Sequence, residues 1–251
     1  MNNEKIKDLF AIKYNLKNME LYYTRSSFAG NTLSEPRSKK DKEAGVLSKT
    51  TKTHVHNWLI ENLFEKKKEI SSKHIEKGNT CEDESIELYS EFLEGVVYDK
   101  NEKHFRNEFI QGTPDIIDYE NKLVIDIKTS WDMFTFPYFD TQIENKLYYW
   151  QLQCYMHLLD FKKAKLVYCL VNTPTSLINR EIKYQSIIKG IDITPELSEE
   201  IKNNLTFDNL DIKDRIKEFE IEREDITLIY NRVGQIRNYI KSLGYEQEIS
   251  K

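Results

Sequence analysis

Gly112-Thr113-Pro114-Asp115-Ile116-Ile117-Asp118-Tyr119-Glu120-Asn121-Lys122-Leu123-Val124-Ile125-Asp126-Ile127-Lys128-Thr129-Ser130 is the stretch that decides the fold, and it reads as a β-hairpin. Two runs rich in β-branched and aliphatic residues, Asp115 to Tyr119 and Leu123 to Lys128, flank the turn-forming cluster Glu120-Asn121-Lys122. That is the usual signal for adjacent antiparallel strands. Side chains alternate faces along a strand, so Asp126 and Lys128 share one face. Leu123, Ile125 and Ile127 share the other, which is expected to look into a core.

The turn leaves two registers open. A loop at Glu120-Asn121 sets Asp115 opposite Asp126, whereas a loop at Asn121-Lys122 sets it opposite Lys128. Either register places all three on one surface. Two carboxylates facing each other across a ladder repel, and a hard divalent cation bound by their oxygens would compensate. Asp-x-Lys alone is ordinary on a solvent-facing hairpin; Gly-Thr-Pro-Asp just ahead of it and two further elements set this one apart.

The first of these lies upstream, in Lys77-Gly78-Asn79-Thr80-Cys81-Glu82-Asp83-Glu84-Ser85-Ile86-Glu87-Leu88-Tyr89. From about Asn79 it reads as a helix, with Thr80 as N-cap and Asp83 at the third helical position. On a helical wheel Ile86, Tyr89, Phe92, Leu93 and Val96 cluster with Glu82, while Asp83, Glu84, Glu87 and Glu91 point away. A carboxylate turned toward a core is costly unless it is paired or binds metal, which makes Glu82 a candidate; the helix dipole offers the plainer explanation for its place.

The second lies downstream, in a helix expected from about Thr141 to Asp160. There Gln151 shares an arc with Tyr148, Tyr155, Leu158 and Leu159, and Gln153 points toward the side of His157 and Asp160. Gln151 is therefore the inward glutamine, and Tyr155, four residues on, can act with it. Lys165 to Val171 follows as a short buried strand beside the hairpin.

At 251 residues the chain suits one α/β domain with elaborations. Residues 31% charged and a formal net charge of −5 describe a mildly acidic chain and neither favour nor exclude a nucleic-acid partner, for which local patches count. No apolar leader or membrane-length run is present, so a cytoplasmic protein without a membrane partner is expected. Cys81, Cys154 and Cys169 are odd in number and far apart, which argues against a disulfide framework, a zinc ribbon or a four-cysteine iron–sulfur cluster.

Elsewhere the reading is plainer. Residues 1 to about 24 look helical, Arg25 to Lys40 looks like a polar basic loop, and Val55 to Glu69 looks helical. His54 and His56, with no third ligand nearby, read as structural or exposed. The aromatic segment Trp131 to Phe139, broken by Pro137, leaves open base stacking, core packing or a partner interface. From Thr194 onward the apolar periodicity suggests two or more helices.

Taken in order, Gly78-x-x-x-Glu82, Pro114-Asp115, Asp126-Ile127-Lys128 and Gln151-x-x-x-Tyr155 resemble the motifs of the PD-(D/E)xK nuclease superfamily. Within it they are similar to the RecB-like and YqaJ-like viral recombinase, or lambda-exonuclease-like, branch. Asp126 stands where a glutamate is common in the family, an accepted variant. Cys81 stands beside the acid where many RecB-like relatives carry a histidine.

The resemblance implies an α/β, restriction-endonuclease-like αβββαβ kernel, with a central mixed sheet flanked by helices and N- and C-terminal helical extensions. The corresponding division is 1–72 for an N-terminal helical and basic-loop region, 73–190 for the nuclease core and 191–251 for the C-terminal extension. It implies a metal-dependent DNA exonuclease of phage or prophage recombination or end processing; a structure-selective or restriction-type endonuclease and a catalytically idle DNA-binding module are the alternatives. Mg²⁺, with Mn²⁺ as substitute, would be held by Asp115, Asp126, the Ile127 carbonyl and Glu82. Lys128 would orient or deprotonate the attacking water, and Gln151 and Tyr155 would steady Lys128 and the DNA strand. DNA is the implied partner; a single-strand annealing protein and a second copy of the chain remain open.

Overall fold

The computed structural model describes residues 19–69 and 71–245. Of the helix expected over residues 1 to about 24, residues 1–18 lie outside that range, and 19–23 carry no helix. Thr24–Arg25 (β1) is followed by a 3₁₀ turn at Ser26–Phe28 and by the short helices Ala29–Thr32 (α1) and Lys39–Glu43 (α2). The basic loop expected from Arg25 to Lys40 is thus interrupted by short elements. At α1 small residues are the reason: Ala29 is buried, and a Cβ on Gly30 would stand 3.0 Å from Leu147 Cδ2 and 3.2 Å from the Lys146 carbonyl, so the bare backbone packs there. At α2 it is the Ser38 cap, whose Oγ accepts from the Asp41 N–H.

Lys49–Phe64 (α3) starts six residues before the expected Val55. Ser48 Oγ accepts from the Thr51 N–H at 3.1 Å, and this cap together with the burial of Thr51 outweighs the weak helix propensity of the threonines. Lys73–Thr80 (α4) and Glu82–Phe92 (α5) replace the single helix expected from Asn79, with a break at Cys81. Thr80 is consequently no cap; it closes α4, its Oγ1 donating to the Glu76 carbonyl at 2.8 Å. Val96 lies beyond the helix end and is exposed.

Phe105–Arg106 (β2) and Ile110–Gly112 (β3) join β1 in a small sheet of order β1-β3-β2. The hairpin then forms as Ile116–Asp118 (β4) and Leu123–Thr129 (β5), followed by Lys146–Leu159 (α6) and Lys163–Cys169 (β6). Beyond these lie Thr175–Lys189 (α7), Pro195–Asn204 (α8), Ile216–Glu222 (β7) and Thr227–Ser242 (α9). The second sheet runs β4-β5-β6-β7, parallel between β5 and β6 and antiparallel elsewhere. α5, β3, the hairpin, α6 and β6 follow the expected αβββαβ order within a mixed α/β fold, with β3 paired in the small sheet and not with the hairpin.

β5 is buried on both faces. Ile125 and Ile127 pack with Ile86, Tyr89 and Val167 on one side, and Val124 packs with Leu152, Met156 and Leu166 on the other. Asp126 therefore lies under α6 with no exposed surface.

In the tail, residues 216–222 form a strand where helical periodicity was expected. Its charged residues answer lysines on β6, Lys163 with Glu220 and Lys165 with Glu218, both at 2.7 Å. Cross-strand pairing and burial of Phe219 favour the extended form. The later isoleucines do form a helix: Ile229, Val233, Ile236 and Ile240 of α9 pack on Val55, Leu59 and Ile110. Among the described residues no helix is long and apolar enough to cross a membrane, and all three cysteines are free and buried.

Candidate active site

The hairpin adopts the first of its two registers, with Ile116 opposite Ile125, Ile117 opposite Val124 and Asp118 opposite Leu123. Continued by one residue, this sets Asp115 across from Asp126. Asp118 explains the choice, since its carboxylate accepts from the Asn121 N–H and from Asn121 Nδ2, each at 2.8 Å, and so closes the turn.

Asp115 Oδ2 accepts from the Ile127 N–H at 2.7 Å. Asp126 Oδ1 accepts from Gln151 Nε2 at 2.9 Å, while Lys128 Nζ stands 2.5 Å from Asp126 Oδ2 as an ion pair. That oxygen has no hydrogen-bond partner of normal geometry, although it is buried. Lys128 also lies over the Tyr148 ring, 4.9 Å from its centre.

Gln151 donates as well to the Tyr155 hydroxyl at 3.0 Å, and that hydroxyl donates to the Thr113 carbonyl at 3.1 Å. The glutamine and tyrosine thus support Asp126 and the turn ahead of Asp115; no hydrogen bond joins either to Lys128, which differs from the expected arrangement. Gly112 sits against this group, because a Cβ there would meet Ser26 Oγ at 2.5 Å and Tyr155 Cε1 at 2.7 Å. Any larger residue would displace the ring.

Glu82 opens α5 and is partly buried. Its carboxylate pairs with Lys100 at 3.0 Å rather than with the two aspartates, yet its charge is felt by both. Asp83, Glu84, Glu87 and Glu91 are exposed, as the wheel predicted. Gln153, expected on the outer side, is fully buried, donating to the Glu222 carbonyl and accepting from the Glu224 N–H, each at 2.8 Å. The cause is β7, which covers the face that a wheel for α6 alone leaves open.

Charge and burial set the electrostatics. The Asp115 carboxyl is pushed up to about 7, first by burial and then by the charge of Asp126, against the pull of Lys128 and the Ile127 N–H. Burial also raises Asp126, opposed by Lys128. For Lys128 burial works downward, but Asp126 and Asp115 outweigh it and hold the ammonium above its ordinary range. A firmly protonated lysine suits orientation of water and phosphate better than removal of a proton.

Two aspartates facing each other, Glu82 nearby and a buried Asp126 oxygen held only by the Lys128 ammonium suit a hard divalent cation, which prefers oxygen ligands. Among the described residues no three acid, cysteine or histidine side chains already form a metal cage: Asp115 is turned to the Ile127 N–H and Glu82 to Lys100.

Neither histidine of the 54/56 pair enters the site. His54 stacks on Phe28 at 3.5 Å and is lowered to about 4 by burial and by Arg25; His56 Nε2 is 2.8 Å from the Tyr239 hydroxyl.

Three supporting residues escaped the sequence. Lys100 holds Glu82, Asn101 donates to the Pro114 carbonyl at 2.8 Å, and buried Lys77 donates to the Trp131 carbonyl at 3.1 Å. Lys100 and Asn101 lie in an aperiodic polar segment without a local signal. Lys77 adjoins the Gly78 motif, which could have pointed to it.

No protein-family model and no curated protein sequence matches the chain. Solved structures do. The chain is similar to a phage related exonuclease from Haemophilus somnus, with 30% identity, a TM-score of 0.73, and 88% of this chain and 95% of that one covered. An alkaline exonuclease from Laribacter hongkongensis shares the fold at 14% identity and a TM-score of 0.56, with 89% of this chain and 90% of that one covered. The same enzyme in complex with dAMP matches at a TM-score of 0.57 and 14% identity.

Proposed function

Since the chain belongs to the YqaJ-like, lambda-exonuclease-like branch of the PD-(D/E)xK nucleases, we propose that it is a metal-dependent DNA exonuclease of phage or prophage recombination or DNA end processing. The observation that carries this reading is Asp126, clamped between Lys128 and Gln151 with Asp115 facing it across the ladder. Such a concentration of buried charge destabilises a fold and is tolerable where a cation and a phosphodiester are to be bound.

Asp115, Asp126 and the Ile127 carbonyl, with Glu82 directly or through water, would hold Mg²⁺ or Mn²⁺. Bound there, the ion would lower the pKa of water and neutralise charge on the scissile phosphate. Lys128 places a fixed positive charge beside that phosphate and orients the attacking water. Gln151 fixes the rotamer of Asp126, and Tyr155 ties that glutamine to the Thr113 turn.

Labelled linear duplex with Mg²⁺ should be digested from its ends, while covalently closed circles stay intact. Cleavage of the circles would identify an endonuclease on the same kernel. No digestion, with no stabilisation by Mg²⁺ or Mn²⁺, would identify an idle binding module.

Gln151→Leu removes the donor to Asp126 Oδ1 without a gross change of volume. Mn²⁺ affinity, followed by titration calorimetry, should fall about 10–100-fold; unchanged affinity would refute the role assigned to Gln151.

A further inference from the structure

Between β5 and α6 the chain treats its rings in opposite ways. Trp131 and Phe136 are buried, while Phe134 and Phe139 are 97% and 96% exposed. A single exposed phenylalanine is ordinary. Here both stand at a cavity of about 380 Å³ that Phe136, Tyr138, Tyr168 and Phe219 also line. That volume falls within the range of small-ligand sites, roughly 300–1,000 Å³.

The cavity adjoins the catalytic face of the sheet. Tyr168 is the register partner of Lys128, its ring lies 6.3 Å from that of Tyr148, and Tyr148 lies under the Lys128 ammonium. Phe136, Tyr138 and Phe139 follow one another at 4.5 and 6.4 Å between centres, and Tyr168 meets Phe219 at 6.1 Å. Asp140 and Glu144 also line the cavity. Carboxylates repel a phosphate, so the ligand that suits this wall is a flat apolar group whose phosphate stays outside. A nucleobase has that shape, and every base offers a π-face.

We propose that Phe134 and Phe139, together with the cavity beside them, form a stacking platform for unpaired bases of the DNA strand next to the site of hydrolysis. The platform rests on the nuclease reading and adds to it a preference for unpaired nucleotides, which fits a duplex end that frays before cleavage.

The test uses the full chain in EDTA, where hydrolysis is suppressed, with fluorescence anisotropy of labelled oligothymidylate and of blunt duplex. Phe134→Ala/Phe139→Ala should bind oligothymidylate at least about 10-fold more weakly and blunt duplex within about 2-fold of the wild type. Phe134→Trp/Phe139→Trp should retain wild-type binding. Equal oligothymidylate affinity of the alanine variant and the wild type overturns the proposal, as does a wild type that does not bind it. A change of sedimenting mass in the alanine variant with oligothymidylate binding unchanged also overturns it and marks a contact between copies of the chain. Phenylalanine-dependent binding by a protein that digests no DNA keeps the platform and removes the nuclease reading; digestion of linear duplex without such binding does the reverse.

Discussion

Lys128→Ala is expected to slow digestion of linear duplex DNA by about 10²–10⁴-fold in Mg²⁺, the range lost when a positioned proton-transfer or electrostatic group is removed. Its ammonium lies 2.5 Å from Asp126 and is held protonated by both aspartates. Among the described residues no other cation forms an ion pair with Asp126.

The same substitution strips the buried Asp126 of its counter-charge. Breaking a buried pair from one side costs about 3–5 kcal/mol, less where the remaining acid can protonate. Burial already raises Asp126, and without Lys128 it rises further. The folded state then binds a proton that the unfolded state has released, so the loss of stability should grow as pH rises above the ordinary carboxylate range toward neutrality. Urea melts across that range give the check. Asp126→Asn/Lys128→Met, which removes both charges, should recover most of the stability and none of the activity. Undiminished digestion by Lys128→Ala would remove the lysine from the mechanism.

Asp115→Asn is expected to reverse sign with conditions. Burial and the Asp126 charge push the Asp115 carboxyl up to about 7 from its ordinary 3.8, so its contribution to stability is present below about pH 4 and is lost as pH rises through 7. The size is on the order of 4 kcal/mol. In EDTA the asparagine variant should match the wild type near pH 4 and exceed it at pH 8. With Mn²⁺ at pH 8 the wild type should gain stability, about 4 kcal/mol when the ion is 1,000-fold above its dissociation constant, and the variant far less. A stability difference that does not vary with pH would show that Asp115 ionises freely in the folded chain.

Local periodicity carries much of this site. Alternation along Leu123 to Lys128 puts Asp126 and Lys128 on one face whatever the rest of the chain does, and the wheel of α6 turns Gln151 inward without knowledge of a partner. Glu82 separates from its exposed acidic neighbours by the same argument. What failed locally failed for identifiable reasons. A wheel misplaces Gln153 because it sees one covered face, and α6 has a second under β7. Residues 216–222 went from helix to strand because β6 offered an edge and two lysines.

The order of elements, the side of each strand and helix that carries charge, and the pairing of acids with an amine follow from the sequence, because each depends on backbone periods of 2 and 3.6 residues. Which acid faces which does not follow from those periods and is settled in the folded turn. The two hairpin registers differ by a slip that preserves every side chain's face, so the Asp118 turn had to choose. The Lys100 grip on Glu82 and the nearness of the aromatic cavity to Lys128 join segments distant in the chain; such contacts form through packing, on which local patterns are silent.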